Sequence, residues 1–522
     1  MHIYSFSPFG YEGALVSVEV DLRKGIPGVD MVGLADGAVK ESRERIRSAI
    51  RNSGLEFPME RVLISLSPAD LKKEGAGFDL AIALAVLDAK ISLEKGDGAK
   101  ENDENILVIG ELDLSGNVKS VRGIQAAIST AAEGGISRCI VPAGNSGEAL
   151  KVKGASVFAA TTLLEAVNAL ETGEGFEVAK GGDDSLGEGF TFVDGVAFPE
   201  VTPDCDICTV KGQSRLVRAL QIAAAGAHNV LAYGTPGCGK TLALQRFPSL
   251  VPALTEEESA VVTRIHSLAG LLPAGASAVR VAPFRTPHQT ASIEGICGGG
   301  PRCSPGEISL AHGGALFLDE ASQFKSSVLQ MLRVPLESGC ITLSRAGRTT
   351  VYPARFQLLI ATNPCPCGNL GSEDKLCLCS AHSIEQFWKK FSAPLLDRID
   401  LRIHVDLPDT STKNEPTLEE LRKGIAKAVL IQRERQGKKN ALLSPQEVIQ
   451  FCSEKIEESA EKLIDDAQER YGMSQRAVSG CLKLARTIAD MEGEEIIAEK
   501  HAAEAVSYRK TEVGLGGISE ML

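Results

Sequence analysis

The chain has 522 residues, 43% of them apolar, with 13 cysteines and a formal net charge of −13. That length suggests three or four domains of about 150 residues each, and the apolar share is ample for buried cores. The acidic balance excludes a protein coated in basic surface but leaves room for a local basic patch, and the longest apolar stretch, Leu80 to Leu87, falls far short of the ~20 residues a membrane-spanning helix needs.

The opening MHIYSFSPFG lacks a basic segment followed by an apolar run, so no signal peptide is expected and the chain reads as cytoplasmic. Thiols there are reduced, and a cysteine cluster is better read as metal-binding than as disulfides. Residues 1–172 alternate short apolar strands with helical stretches. Val62 to Leu66, Ile106 to Ile109 and Cys139 to Val141 read as strands, and Asp79 to Asp88 as a buried helix. Residues 173–205 are rich in Gly, Asp and Glu and read as a linker with little capacity for a core. Residues 206–408 return to strand–loop–helix alternation, the pattern of a mostly parallel α/β sheet. Residues 409–522 read as mainly helical, with Val478, Leu482, Ala485 and Ile488 on one face.

A short apolar strand from Asn229 to Tyr233 runs into Gly234-Thr235-Pro236-Gly237-Cys238-Gly239-Lys240-Thr241. This matches G-x-x-x-x-G-K-[ST] in the strand–loop–helix setting that gives the motif its meaning. Backbone N–H groups of such a loop curl around a phosphate, and a helix beginning near Lys240 points its positive end at the anion. Lys240 is expected to reach the β- and γ-phosphates of ATP, and Thr241 to ligate Mg²⁺. A second apolar strand from Gly314 ends in Asp319 and Glu320. Asp319 is expected to orient Mg²⁺ and its water, and Glu320 to polarise the water that attacks the γ-phosphate. A third strand, Gln357 to Ala361, leads to Asn363, whose amide would hold that water between the other two strand tips. Arg398 and Arg476 are candidates for arginines that stabilise the γ-phosphate from outside, though taken singly each also reads as an exposed charge.

Cys365-Pro-Cys367 and Cys377-Leu-Cys379 form two C-x-C pairs separated by nine residues. Four thiolates suit tetrahedral Zn²⁺ in a closed structural site within an insertion at 365–379. Unligated thiols, or an iron–sulfur cluster, are the alternatives. Cys205 and Cys208 have no second pair and read as incidental. Ile341 to Arg345 and Thr349 to Tyr352 flank Ala346-Gly347-Arg348 as a hairpin. Arg345 and Arg348 at its tip are candidates for gripping DNA phosphates without reading sequence; the plainer reading is a pair of solvated charges.

Lys211-Gly-Gln213, Ala223-Ala-Ala-Gly-Ala-His-Asn229, Phe284-Arg-Thr-Pro-His-Gln289 and Pro305 to Gly314 resemble the magnesium-chelatase-like branch of AAA+ ATPases. With Asn363 to Gly368, Leu395 to Asp400 and Ala485 to Asp490, the resemblance is most specific to the YifB/ComM family. It implies a homo-hexameric ring, an arginine finger at Arg398, a second sensor arginine at Arg476, and a helix-2 insertion around Phe284 to Ser309 facing the pore. It further implies a C-terminal helical lid and a helicase that extends branched joints during natural transformation, acting on single-stranded or branched DNA alongside recombination proteins. One departure is Gln289, where the family usually has a second histidine. The N-terminal part resembles the Lon-type protease domain, an α+β fold of the ribosomal S5 domain 2 kind, through Gly110 to Val118 and Gly134 to Pro142. Aligned on Lys73-Glu-Gly75, the nucleophilic serine is replaced by Gly77, or by Ala76 with a one-residue slip. Aligned on Gly123-Ile124, the lysine is replaced by Gln125 or nearby Ala127, so peptide hydrolysis is not expected. A chelatase-like or chaperone-like ATPase that remodels a protein partner stays open beside the DNA motor.

Overall fold

The computed structural model describes residues 1–509 apart from 34–36, 70, 72, 74, 96–103, 180–188, 273–277, 346–347, 373–374 and 409–414. The N-terminal unit is built on an eight-stranded mixed sheet. Its strands lie in the order Glu177–Val178, Ser156–Ala160, Arg138–Pro142, Asn105–Val108, His2–Ser7, Ala14–Arg23, Arg61–Ser67 and Gly28–Val32. Burial alternates along Arg61–Ser67, with Val62, Ile64 and Leu66 inward, as a strand with one covered face requires. The helix Asp79–Lys95 covers that face, and every residue from Leu80 to Leu87 is buried. Strands His2–Ser7 and Ala14–Arg23 escape a reading of apolar runs because Ser5 and Ser7 occupy buried positions in the first.

The stretch read as linker needs correction. Phe190–Val193 and Val196–Pro199 form a hairpin whose Val196 and Phe198 are buried in the core of the central unit. Arg422 lies over the Phe198 ring at 4.9 Å and donates to Pro199 O at 2.8 Å. Asp194 and Gly195 both have positive φ, 46° and 82°, the type I′ geometry that Asp-Gly favours between paired strands.

The central unit is a five-stranded, wholly parallel sheet in the order Phe284–Arg285, Ala315–Leu318, Gln357–Thr362, Val230–Tyr233 and Leu401–His404. Gln357–Thr362 is buried at every position, as expected of a strand covered on both faces. Because the strands are parallel, the carboxyl ends of Val230–Tyr233, Ala315–Leu318 and Gln357–Thr362 open on one edge, where α/β sheets bind ligands. Between the first two of these in sequence, the helix Ile293–Cys297 and a short pairing of Gly298–Gly299 with Ser304–Pro305 occupy the expected insertion. The hairpin Cys340–Arg345 and Arg348–Pro353 is in register to Arg345 and Arg348; its turn, Ala346 and Gly347, lies outside the described residues.

Helices Leu418–Gln436, Pro445–Phe451, Glu458–Tyr471, Gln475–Glu492 and Glu499–Ser507 make the helical C-terminal region. A buried polar network fastens it to the sheet. His228 contacts Asp400 through Nδ1 at 3.0 Å and Thr487 through Nε2 at 2.8 Å. Arg509 donates to Asp400 at 3.0 Å, and Asn440 donates to both Thr487 and Asp490. Among the described residues no helix is long and apolar enough to cross a membrane.

Candidate nucleotide site

Gly237 and Gly239 take φ values of 85° and 92°, a region glycine enters without the strain of a Cβ. The buried Gln213 holds the loop from beneath, its amide donating to Cys238 O and Asp406 O at 2.8 Å each. Lys240, only 7% exposed, donates from Nζ to Gly234 O and Thr235 O at 2.7 Å, so its ammonium already lies in the cradle of the loop. The Thr241 hydroxyl donates to Asp319 Oδ1 at 2.9 Å, and the same oxygen accepts the Glu320 backbone N–H at 2.9 Å. Two sequence-distant oxygen donors thus meet at one point on the sheet edge, suited in type and position to a hard cation such as Mg²⁺.

Glu320 has φ 46°, a left-handed conformation uncommon outside glycine and found where surrounding structure over-determines the backbone. Its Oε2 accepts a 2.8 Å hydrogen bond from Gln289 Nε2. Asn363 follows the strand that pairs with both the Val230–Tyr233 and the Ala315–Leu318 strands, and so lies between their tips.

The four cysteines are brought together. Cys365, Cys367 and Cys377 have sulfurs 3.4, 3.7 and 3.6 Å apart, and with Cys379 all four ligand atoms lie within 4.8 Å of one another. Tetrahedral thiolates at ~2.3 Å from a zinc ion would lie about 3.8 Å apart, so the donor set fits. The Asn369 backbone N–H and the Cys365 side chain hold the Cys367 thiol down to about 6. This loop touches the nucleotide site: a Cβ at Gly368 would come 2.9 Å from Pro236 Cγ and 3.7 Å from Asn363 Nδ2. Trp388 anchors its start by donating to Pro364 O at 3.0 Å. Cys205 and Cys208 join no such cluster among the described residues. Glu492, Glu494 and His501 also converge. There the His501 Nδ1 accepts the Ala498 N–H at 2.9 Å, which leaves the proton on Nε2 facing Glu492, a helix cap braced by Lys500.

Arg398 and Arg476 are not brought onto the chain's own phosphate loop. Both reach Glu337: Arg476 Nη2 donates to Oε1 at 2.6 Å, and Arg398 Nη2 pairs with Oε2. The hairpin arginines differ from each other. Arg345 is exposed, whereas the Arg348 guanidinium lies 3.6 Å from the centroid of the Phe9 ring. The expectation of two free charges at the tip is therefore corrected for Arg348, which a loop of the N-terminal unit covers. That loop is further held by Tyr11 N–H on Thr350 Oγ1 at 2.9 Å, Gly10 N–H on Arg302 O at 3.1 Å, and Arg264 over the Tyr11 ring at 4.4 Å. In the N-terminal unit a Cβ at Gly77 would meet the apolar Ile109 and Val121 among the described residues, and Gln125 is buried.

Residues 206–413 match the family described as magnesium chelatase, subunit ChlI; residues 18–145 match subunit ChlI of Mg-chelatase, and 415–509 its C-terminal family. The competence protein ComM of Haemophilus influenzae is 37% identical over 513 residues, covering 97% of both chains. The protein YifB of Escherichia coli is 38% identical over 519 residues, 97% of this chain and 96% of its own. The chain belongs to the YifB/ComM family of magnesium-chelatase-like AAA+ proteins. A more distant likeness, 24% over 173 residues, joins this YifB/ComM-family chain to the magnesium-chelatase 38 kDa subunit of Rhodobacter capsulatus, covering 30% of the chain and 49% of that subunit. Within the YifB/ComM frame, sequence reading missed three contributors. Gln213 was visible only as part of a family motif, Gln289 only as a departure from one, and Glu337 carried no signal.

Proposed function

We propose that this chain is a cytoplasmic ATPase that couples hydrolysis of Mg²⁺-ATP to movement on DNA, as a helicase acting on branched or single-stranded substrates. The observation that carries the ATPase reading is the meeting of Thr241 and Asp319 at 2.9 Å, with Lys240 and Glu320 beside them on one sheet edge. Thr241 and Asp319 would hold Mg²⁺, which when bound would offset phosphate negative charge. The loop N–H groups bind the phosphates, and Lys240 trades its carbonyl partners for the γ-phosphate. Glu320 accepts a hydrogen bond from the attacking water and draws its proton away, while Asn363 orients that water from the neighbouring strand. A homo-hexameric ring in which each subunit lends Arg398 and Arg476 to its neighbour's nucleotide accounts for their position away from their own loop. Zn²⁺ on Cys365, Cys367, Cys377 and Cys379 is structural, bracing the Pro236 and Asn363 side of the site.

DNA as the object moved rests on the likeness to competence protein ComM and on the basic tip at Arg345, with recombination proteins as the natural partners. The likeness to a chelatase subunit favours the second reading, a remodeller of a protein partner. Hydrolysis measured with and without forked and single-stranded DNA separates them. Glu320→Gln should lower hydrolysis at least about 10²-fold. Arg345→Ala should abolish only the DNA stimulation. Normal hydrolysis indifferent to every DNA tested would sink the motor reading and favour the remodeller.

A further inference from the structure

Two guanidinium groups from different parts of the fold share one carboxylate. Glu337 stands in the short helix Pro335–Ser338, after the helix Ser326–Met331 that follows Glu320 and just before the hairpin at Cys340. Arg398 comes from the turn after the helix Ala393–Leu396, and Arg476 from the first turn of the helix Gln475–Glu492 in the C-terminal region. Each carboxylate oxygen takes one arginine. Arg398 and then Arg476 hold the Glu337 carboxyl below the usual carboxylate range, so it is ionised. The Arg398 side chain is only 11% exposed, its Nη1 donates to Pro394 O at 2.5 Å, and its Nε has no partner among the described residues.

An ion pair on a carboxylate as exposed as Glu337 adds little to stability, so stability alone gives weak reason for the arrangement. The cleft of about 790 Å³ between the hairpin base and the C-terminal helices is lined by Arg355, Lys438 and Lys483 besides Arg476, and among the described lining residues Glu337 is the only acidic one. Without Glu337 the two guanidinium groups would repel each other and follow separate rotamers.

We propose that Glu337 is a positioning residue that holds Arg398 and Arg476 as a pair, ready to engage the γ-phosphate bound by an adjoining copy of the chain. On docking, both guanidinium groups exchange a carboxylate for phosphate oxygens, one oxyanion replacing another. The inference rests on the reading above that these arginines act across a subunit boundary.

The test is ATP hydrolysis by full-length protein in mixed assemblies. Glu337→Ala should lower kcat about 10- to 100-fold, the scale of a misplaced catalytic group, with KM for ATP within about twofold because each variant keeps its own nucleotide loop. Mixing Glu337→Ala with Lys240→Ala should restore hydrolysis, since the second variant brings an intact arginine pair to the first variant's intact site. Glu337→Gln, which keeps the shape and loses the charge, should show the same defect and the same rescue, and it serves if the alanine variant does not fold. Wild-type hydrolysis by both Glu337 variants overturns the proposal. Rescue of Arg398→Ala by Lys240→Ala without rescue of either Glu337 variant also overturns it, while leaving the subunit-boundary reading intact. Unimpaired hydrolysis by Arg398→Ala removes that reading and the proposal with it.

Discussion

Glu320 sits in a left-handed conformation with one carboxylate oxygen tied to Gln289, and on the proposed reading its second oxygen takes the attacking water. That hydrogen bond, though exposed, narrows the rotamers open to the Glu320 carboxylate. Gln289→Ala should therefore lower kcat about tenfold at unchanged KM, because the interaction orients the catalytic group more than it binds substrate. Gln289→His, which offers a ring N–H in place of the amide, should stay within about threefold of the parent. Steady-state kinetics on the pair checks both. Some residues of the signature stretches act away from the phosphate loop. His228, Asp400 and Thr487 form one buried chain of hydrogen bonds joining the sheet to the C-terminal helices. A buried polar group left unpaired is costly, so each of these residues requires the others.

Among the elements, the loop Pro8 to Gly13 and the hairpin Cys340–Pro353 behave as one packed unit. Gly10 has φ 60°, and a Cβ there would lie 2.2 Å from Thr350 Oγ1, so no larger residue fits without opening the contact. Tyr11 stacks edge-on against Tyr352 at 5.8 Å. Phe9 covers Arg348, and a cation–π contact of this kind is worth about 0.5–2 kcal/mol. If Arg348 is used on DNA, Phe9→Ala should raise DNA affinity about three- to tenfold by releasing it. Titration of labelled single-stranded DNA at fixed salt reads this directly, and an unchanged affinity would mean that Arg348 serves the domain contact alone. Gly10→Val should instead loosen the hairpin, seen as faster amide exchange across residues 348–353.

Over the whole molecule, the cysteine loop rests on Pro236 and beside Asn363, so on the proposed reading metal content would be coupled to nucleotide chemistry. Purified protein should contain about one Zn²⁺ per chain, released by thiol-modifying reagent. Cys377→Ser should lower the melting temperature and reduce hydrolysis together, since the same loop braces both; metal analysis and thermal denaturation check it. Loss of zinc with hydrolysis untouched would confine the metal to local stability.

What the sequence by itself determined is the part of the site encoded in contiguous backbone. A phosphate loop is a strand, a glycine turn and a helix start in one run, so Gly234 to Thr241 is legible residue by residue, as are the strand tips at Asp319 and Asn363. The three inner strands of the central sheet were legible as apolar runs, whereas the edge strands Phe284–Arg285 and Leu401–His404 carry arginine and histidine and were not. The hairpin at 190–199 was legible in principle from Asp194-Gly195 between apolar runs, but glycine and acid averaged over the longer stretch concealed it. Tertiary structure alone decided the pairings between distant residues. Thr350 meets Tyr11 from 339 positions away, Arg476 meets Glu337 from 139, and Gln289 meets Glu320 from 31. A side chain's type and neighbours in sequence define what it can bond to, whereas which partner arrives is set by how sheets and helices stack, through packing terms summed over the entire core.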